Sequence, residues 1–205
     1  MKKRIATIRR KTKETDITVK LNIDGSGESK INTGIGILDH MLELFSFHGL
    51  FDLDVSAKGD LKVDIHHTNE DVGIVLGEAF KKALGDKKGI KRFGSATVPM
   101  EDVVADVTVD ISGRGFFKFN PWQALTSGEL QPEKQEEYEF KDTLHFFDAF
   151  AKHLGMNLNT KIGPLSPDLH TTLEPAFKAL GIALDQATQI DPRRHGVPST
   201  KGVID

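Results

Sequence analysis

The chain has 205 residues, 27 Lys and Arg against 30 Asp and Glu for a formal net charge of −3, 38% apolar and 28% charged residues, and no cysteine. This length supports a sizeable core, and the balance of residues excludes whole-chain disorder and a broad nucleic-acid or anionic-membrane surface. Without a thiol, disulfides, thiolate metal sites and a cysteine nucleophile are excluded, and any metal must be held by His, Asp, Glu or backbone oxygen.

Alternating residues between Arg4 and Thr33, among them Ile5, Ile17, Val19, Leu21 and Ile23, with the turn-forming NIDGSGES, predict a meander of short strands. Residues 36–49 place Ile37, Met41, Leu44, Phe45 and His48 at helical spacing and predict a helix closed by Gly49. Alternation returns through Phe51, Leu53 and Val55 and, past a turn at Gly59, through Leu61, Val63 and Ile65, predicting two more strands. Residues 69–85 carry Val72, Val75, Leu76, Ala79, Phe80 and Ala83 on one stripe and predict a second helix. The first half therefore reads β-β-(β)-α-β-β-α.

The second half repeats this order, with strand-like residues 103–120, a helix over 142–155, an extended 156–162 and a helix carrying Leu173, Phe177, Leu180 and Leu184. Placing His66 on His170 also superposes Thr68 on Thr172, Glu70 on Glu174, Leu76 on Leu180 and Gly77 on Gly181. Placing His40 on His145 superposes Phe45 on Phe150 and His48 on His153. Such coincidences point to a duplication. The expected organisation is a first half-repeat over 1–92, a second over 93–190 and a tail over 191–205, in one compact unit. The polar, aperiodic segment 121–140 is expected to be a surface excursion.

Six of the eight histidines fall into three duplicated pairs: His40 with His145, His48 with His153, and His66 with His170. In each half a His precedes a Glu by four residues (His66 and Glu70, His170 and Glu174), a spacing that brings imidazole and carboxylate onto one helical face. Adjacent His66 and His67 would diverge on an extended strand, which suggests ligands to two different metals. His48 and His153 share the apolar stripe and read as packing groups. Imidazole with carboxylate and no sulfur suits Mn, Fe, Co, Ni or Zn, with a tilt toward Mn. Arg92, Arg114, Lys178, Ser199 and Lys201 supply the forks, ammonium groups and hydroxyl that fit a phosphate.

The segments GIGILDHMLELFSFHGLFDL, DIHHTNEDVGIVLGEAF, RFGSATVPMED, VDISGRG, HTTLEPAFKAL and DPRRHGVPSTKG, in this order over essentially the whole chain, resemble the imidazoleglycerol-phosphate dehydratases of histidine biosynthesis. The resemblance implies an α+β fold of duplicated half-domains, with helices sandwiched between two mixed β-sheets, and trimers that assemble into a 24-subunit shell. It implies two Mn²⁺ per subunit held by His40, His66, His67, Glu70, His145, His170 and Glu174, with neighbouring subunits contributing. It makes Glu14, reaching in from another chain, together with Glu70 and Glu174, the catalytic carboxylates. Glu14, Arg92, Arg114, Lys178, Ser199 and Lys201 become contacts to the substrate, a phosphorylated imidazole that loses water to give imidazole acetol phosphate.

Two positions depart from the family's pattern. Thr171 stands where a second His is expected, leaving one metal site a ligand short, and Asn159 replaces another His. The expectation is therefore a hydro-lyase with one weakened site. The competing readings are a metal-binding shell protein of the same fold with decayed catalysis and a metallohydrolase of a sugar phosphate. No nucleic-acid or membrane partner is expected: the balance is acidic, Trp and Tyr occur once each, and neither a secretory apolar stretch nor about 18 consecutive apolar residues occur, which places the chain in the cytoplasm.

Overall fold

A computed structural model describes residues 3–121 and 132–204. The first half runs β1 (Ile5–Lys11), β2 (Thr15–Asn22), β3 (Ser29–Asn32), α1 (Gly36–Gly49), β4 (Asp52–Gly59) and α2 (Ile65–Leu84). The second runs β5 (Phe93–Met100), β6 (Val103–Asp110), β7 (Phe116–Pro121), α3 (Phe140–Leu154), β8 (Asn157–Gly163) and α4 (Leu169–Thr188). Each half makes one four-stranded sheet, ordered β1-β2-β4-β3 and β5-β6-β8-β7, antiparallel except for one parallel pair, β3 with β4 and β7 with β8. Strands β2 and β6 carry the same alternation, burying Thr15, Ile17, Val19 and Leu21 in one and Val103, Ala105, Val107 and Val109 in the other.

The helices lie between the sheets, each with its apolar stripe inward. Helix α2 packs on β1, β2 and β4 of its own sheet and on α3 of the other half; α4 packs on β5 and β6 and on α1. These cross-half crossings are tight because each has a glycine at its centre. A Cβ on Gly77 of α2 would stand 2.8 Å from the carbonyl oxygen of Phe150 in α3, and one on Gly181 of α4 would stand 2.5 Å from that of Phe45 in α1. Around them Phe45, Phe51, Phe80, Phe146, Phe147, Phe150 and Phe177 are fully buried, each stabilising the fold by roughly 1.5–3 kcal/mol through burial alone.

Three local expectations are corrected. Strands β1 to β3 do not form a meander: β4 inserts between β2 and β3, because the β3–α1–β4 crossover brings β4 back alongside both. No strand follows Gly59. Asp60 to Val63 form a turn closed by Val63 N–H donating to the Asp60 carbonyl at 2.7 Å, and Asp64 caps α2 by accepting from His66 N–H at 2.8 Å, so helix capping overrides the short alternating run. Helix α1 ends with Leu50, not Gly49, in the left-handed region (φ 56°). Gly49 is instead required by space, since its Cβ would meet the Phe51 ring at 2.4 Å. The expected excursion over 121–140 falls largely on 122–131, outside the described residues; residues 132–140 are mostly exposed, with Tyr138 buried.

Candidate metal and substrate site

The duplicated motifs open helices α2 and α4 with the same local structure. Asp64 and Asp168 are the N-caps, and the motif histidines occupy the first turn. His66 and His67 therefore diverge for a helical reason, about 100° of rotation per residue, with ring centroids 6.3 Å apart and planes at 67°.

Because α4 crosses α1 and α2 crosses α3, each half's motif meets the other half's helix-borne histidine. At the α1–α4 crossing, His40 and His170 stack with centroids 5.0 Å apart, and both converge on Glu174. His170 Nε2 lies 2.6 Å and His40 Nε2 3.8 Å from the same carboxylate oxygen, Oε2. Lys178, one turn further along α4, pairs with Oε1. Burial pushes the Glu174 carboxyl up, but the Lys178 and His170 contacts more than offset it, and its pKa falls below the ordinary value. Nearby, burial and the Lys178 charge push the His48 imidazole down, so it is held toward its neutral form.

At the α2–α3 crossing, His66 and His145 meet edge to face, 4.9 Å apart. His66 Nε2 is 3.4 Å from Glu70 Oε2. The third member here was not singled out from the sequence: Asp142, buried one turn before His145, places a carboxylate oxygen among the ring nitrogens. One of its oxygens accepts the Glu139 N–H at 2.8 Å as part of the α3 capping box, and burial raises its pKa. The i, i+3 spacing from Asp142 to His145 was the available signal.

In both groups, His40–His170–Glu174 and His66–Asp142–His145, the donor atoms lie within 4.8 Å of one another. Imidazole nitrogens with carboxylate oxygens and no sulfur are a donor set that fits a divalent first-row ion. His67 joins neither group. Its Nδ1 lies 3.1 and 3.2 Å from the two Asp60 oxygens, and this contact, with smaller contributions from the Glu14 and Asp64 charges, raises its pKa. Thr171, the counterpart of His67, is buried, with its backbone N–H and hydroxyl both donating to Asp168, at 3.0 and 2.6 Å. Asn159 lies half-buried on β8.

Glu14 sits in the β1–β2 turn, where Thr12 Oγ1 accepts the N–H groups of Glu14 and Thr15 at 3.0 and 2.9 Å. That turn is tied to α2 by buried Asp71, which accepts from Thr15 Oγ1 at 2.5 Å and Arg10 Nε at 3.0 Å. Sequence reasoning passed over Asp71 although it follows Glu70 directly.

The expected phosphate contacts lie in three places within the chain. Arg92, in the left-handed region at φ 78°, forks onto Asp110 at 2.6 and 3.1 Å and donates through Nη1 to the Pro198 carbonyl at 2.9 Å. It thereby fixes the tail turn that carries Ser199 and Lys201, where Lys201 N–H donates to Ser199 Oγ at 3.2 Å. Lys178 stands apart at the α1–α4 cluster, and Arg114 lies exposed in the β6–β7 loop.

Comparison with known proteins places this geometry. The profile of the imidazoleglycerol-phosphate dehydratase family matches residues 33–184. A protein of that name from Thermoanaerobacter pseudethanolicus is 54% identical over 98% of this chain and all of its own length. Among solved structures, imidazoleglycerol-phosphate dehydratase from Pyrococcus furiosus, in complex with (S)-C348, matches with a TM-score of 0.78 and 35% identity over 96% of this chain and 99% of that one. The Staphylococcus aureus enzyme matches with a TM-score of 0.77 and 32% identity over 91% and 99%.

Proposed function

The chain belongs to the imidazoleglycerol-phosphate dehydratase family, and from that premise we propose that it is a hydro-lyase converting imidazole glycerol phosphate to imidazole acetol phosphate in histidine biosynthesis, dependent on divalent metal. The observation that carries the metal reading is the equivalent pair of imidazole–carboxylate clusters at the two helix crossings. His40, His170 and Glu174 would hold one ion, His66, His145 and Glu70, with Asp142 beside them, the other, and His67, outside both clusters, would serve as a ligand to an ion shared with a neighbouring subunit. A divalent ion such as Mn²⁺ held there would supply Lewis acidity to the reaction.

The chain's own residues supply the rest. Removing water requires a base to take the proton from carbon and an acid to protonate the departing hydroxyl, after which the enol rearranges to the ketone. Glu14, Glu70 and Glu174 are the carboxylates proposed for these transfers. Lys178, Arg92, Arg114, Ser199 and Lys201 hold the phosphate, with Arg92 also pinning the tail that presents two of them. Assembly of trimers into a 24-subunit shell belongs to the same reading, supported by His67, which joins neither cluster of its own chain, and by exposed Phe47, Leu50, Phe93 and Phe116. No helix among the described residues is long and apolar enough to cross a membrane, and the cytoplasm is the proposed location.

The test is turnover of imidazole glycerol phosphate by chelator-stripped protein with and without Mn²⁺, detecting the ketone product. Product formed only with Mn²⁺ is expected. A folded protein that binds Mn²⁺ yet forms no product would favour a decayed shell protein, the reading to which Thr171 points.

A further inference from the structure

We propose that Asp60 is a positioning residue that orients His67 for metal ligation, so that the first motif carries its own carboxylate–imidazole support and the second does not. The inference rests on the metal reading above and concerns a residue outside both clusters.

Asp60 lies seven residues before His67, across the turn that replaces the expected strand, and its backbone carbonyl accepts the Val63 N–H at 2.7 Å. That turn folds the carboxylate back over the first turn of α2. Its two oxygens then stand almost equally distant, at 3.1 and 3.2 Å, from one atom, His67 Nδ1. A carboxylate only accepts, so Nδ1 must be the protonated nitrogen. In the neutral ring this leaves the Nε2 lone pair free and fixes the ring plane, the arrangement by which a carboxylate behind an imidazole sets its tautomer and strengthens it as a ligand.

The contrast within the molecule supports a specific role. At the place of His67 the second half has Thr171, and its hydroxyl is turned back onto its own helix cap, Asp168, at 2.6 Å. The motif that keeps the imidazole has an external carboxylate to aim it, and the motif that lacks the imidazole has none. With side-chain exposures of 32% and 27%, the pair is open enough to solvent that it contributes little to stability. Its consequence lies instead in the tautomer and ring orientation it fixes on His67.

The experiment titrates Mn²⁺ into metal-stripped full-length wild type, Asp60→Ala, Asp60→Asn, His67→Ala and the Asp60→Ala/His67→Ala double variant, reading ion stoichiometry and affinity by chelator competition. Asp60→Ala is expected to weaken one of the bound ions by about 10–100-fold. Asp60→Asn, whose amide oxygen still accepts from Nδ1, should recover part of that loss, and the double variant should bind like His67→Ala alone, because Asp60 acts only through His67. An unchanged affinity in Asp60→Ala, or an Asp60 effect that persists undiminished without His67, overturns the proposal. If Asp60→Ala does not fold, the same comparison is made with Asp60→Asn. A wild-type chain that takes up no Mn²⁺ defeats the metal reading itself, whereas wild-type uptake with an indifferent Asp60 defeats this inference alone.

Discussion

Helices α2 and α4 hold equivalent places in the two halves, start from equivalent aspartate caps, and cross the opposite half at equivalent glycines, yet the charges on their first turns are arranged differently. On α4, Glu174 is nearly enclosed, at 13% side-chain exposure, and gathers His40, His170 and Lys178 around it. On α2, Glu70 is half-exposed at 49% and pairs with His66, while His67 is aimed by Asp60 and buried Asp142 stands in from α3. Duplication thus preserved the scaffold and the place of each cluster while the ligand sets diverged. Packing constrains the glycines and caps on both helices alike, whereas single polar residues at a helix start can be exchanged without disturbing the core.

The comparison can be broken most directly at the two glutamates. Glu174→Ala removes the one carboxylate on which three cationic or imidazole groups converge, so a loss of more than about a hundredfold in turnover and the loss of one bound ion are expected. Glu70→Ala should cost less in Mn²⁺ affinity, because Asp142 remains beside His66 and His145. Equal losses of metal from both variants would show that Asp142 does not substitute.

The scaffold symmetry is tested at the crossings. Gly181→Ala pushes a methyl to 2.5 Å from a backbone carbonyl and Gly77→Ala to 2.8 Å, neither of which a side-chain rotation can relieve. Denaturant unfolding should show losses of about 3 kcal/mol for Gly181→Ala and about 1–2 kcal/mol for Gly77→Ala. A smaller effect at Gly181 than at Gly77 would mean that α1 shifts more readily than α3.

The sheets offer a change of opposite sign. Thr160 on β8 stands where the first sheet has Val55, and its buried hydroxyl has no hydrogen-bond partner among the described residues. Thr160→Val should therefore stabilise the protein, by about 1–2 kcal/mol in the same assay. The hydroxyl of Thr171 is the contrary case. Removing it in Thr171→Val leaves Asp168 without that donor and should cost about 1 kcal/mol.

The smallest expected effect is on pH dependence. Because the Glu174 carboxyl titrates below its unfolded value of about 4.3, its contribution to stability is present above that pH and is lost as pH falls through the folded value. Metal-free wild type should therefore lose more of its thermal midpoint than Glu174→Gln on going from about pH 5 to pH 3.

Much of this protein follows from its sequence alone. Periodicity placed α4 through Leu173, Phe177, Leu180 and Leu184, and repeated histidines, glutamates and glycines revealed the duplication, because a buried stripe and a helix crossing leave marks at fixed spacing. The segment motifs also indicated the family. Which residues meet was decided by the tertiary structure. His40 joins His170 and Glu174, and His145 joins His66, only because each second helix packs across the duplication instead of within its own half, a contact between distant positions that no local period encodes. Asp60 and Asp142 entered the site the same way: a turn and a capping box brought carboxylates of ordinary sequence context against the histidines, and only the folded chain selects those two from thirty acidic residues.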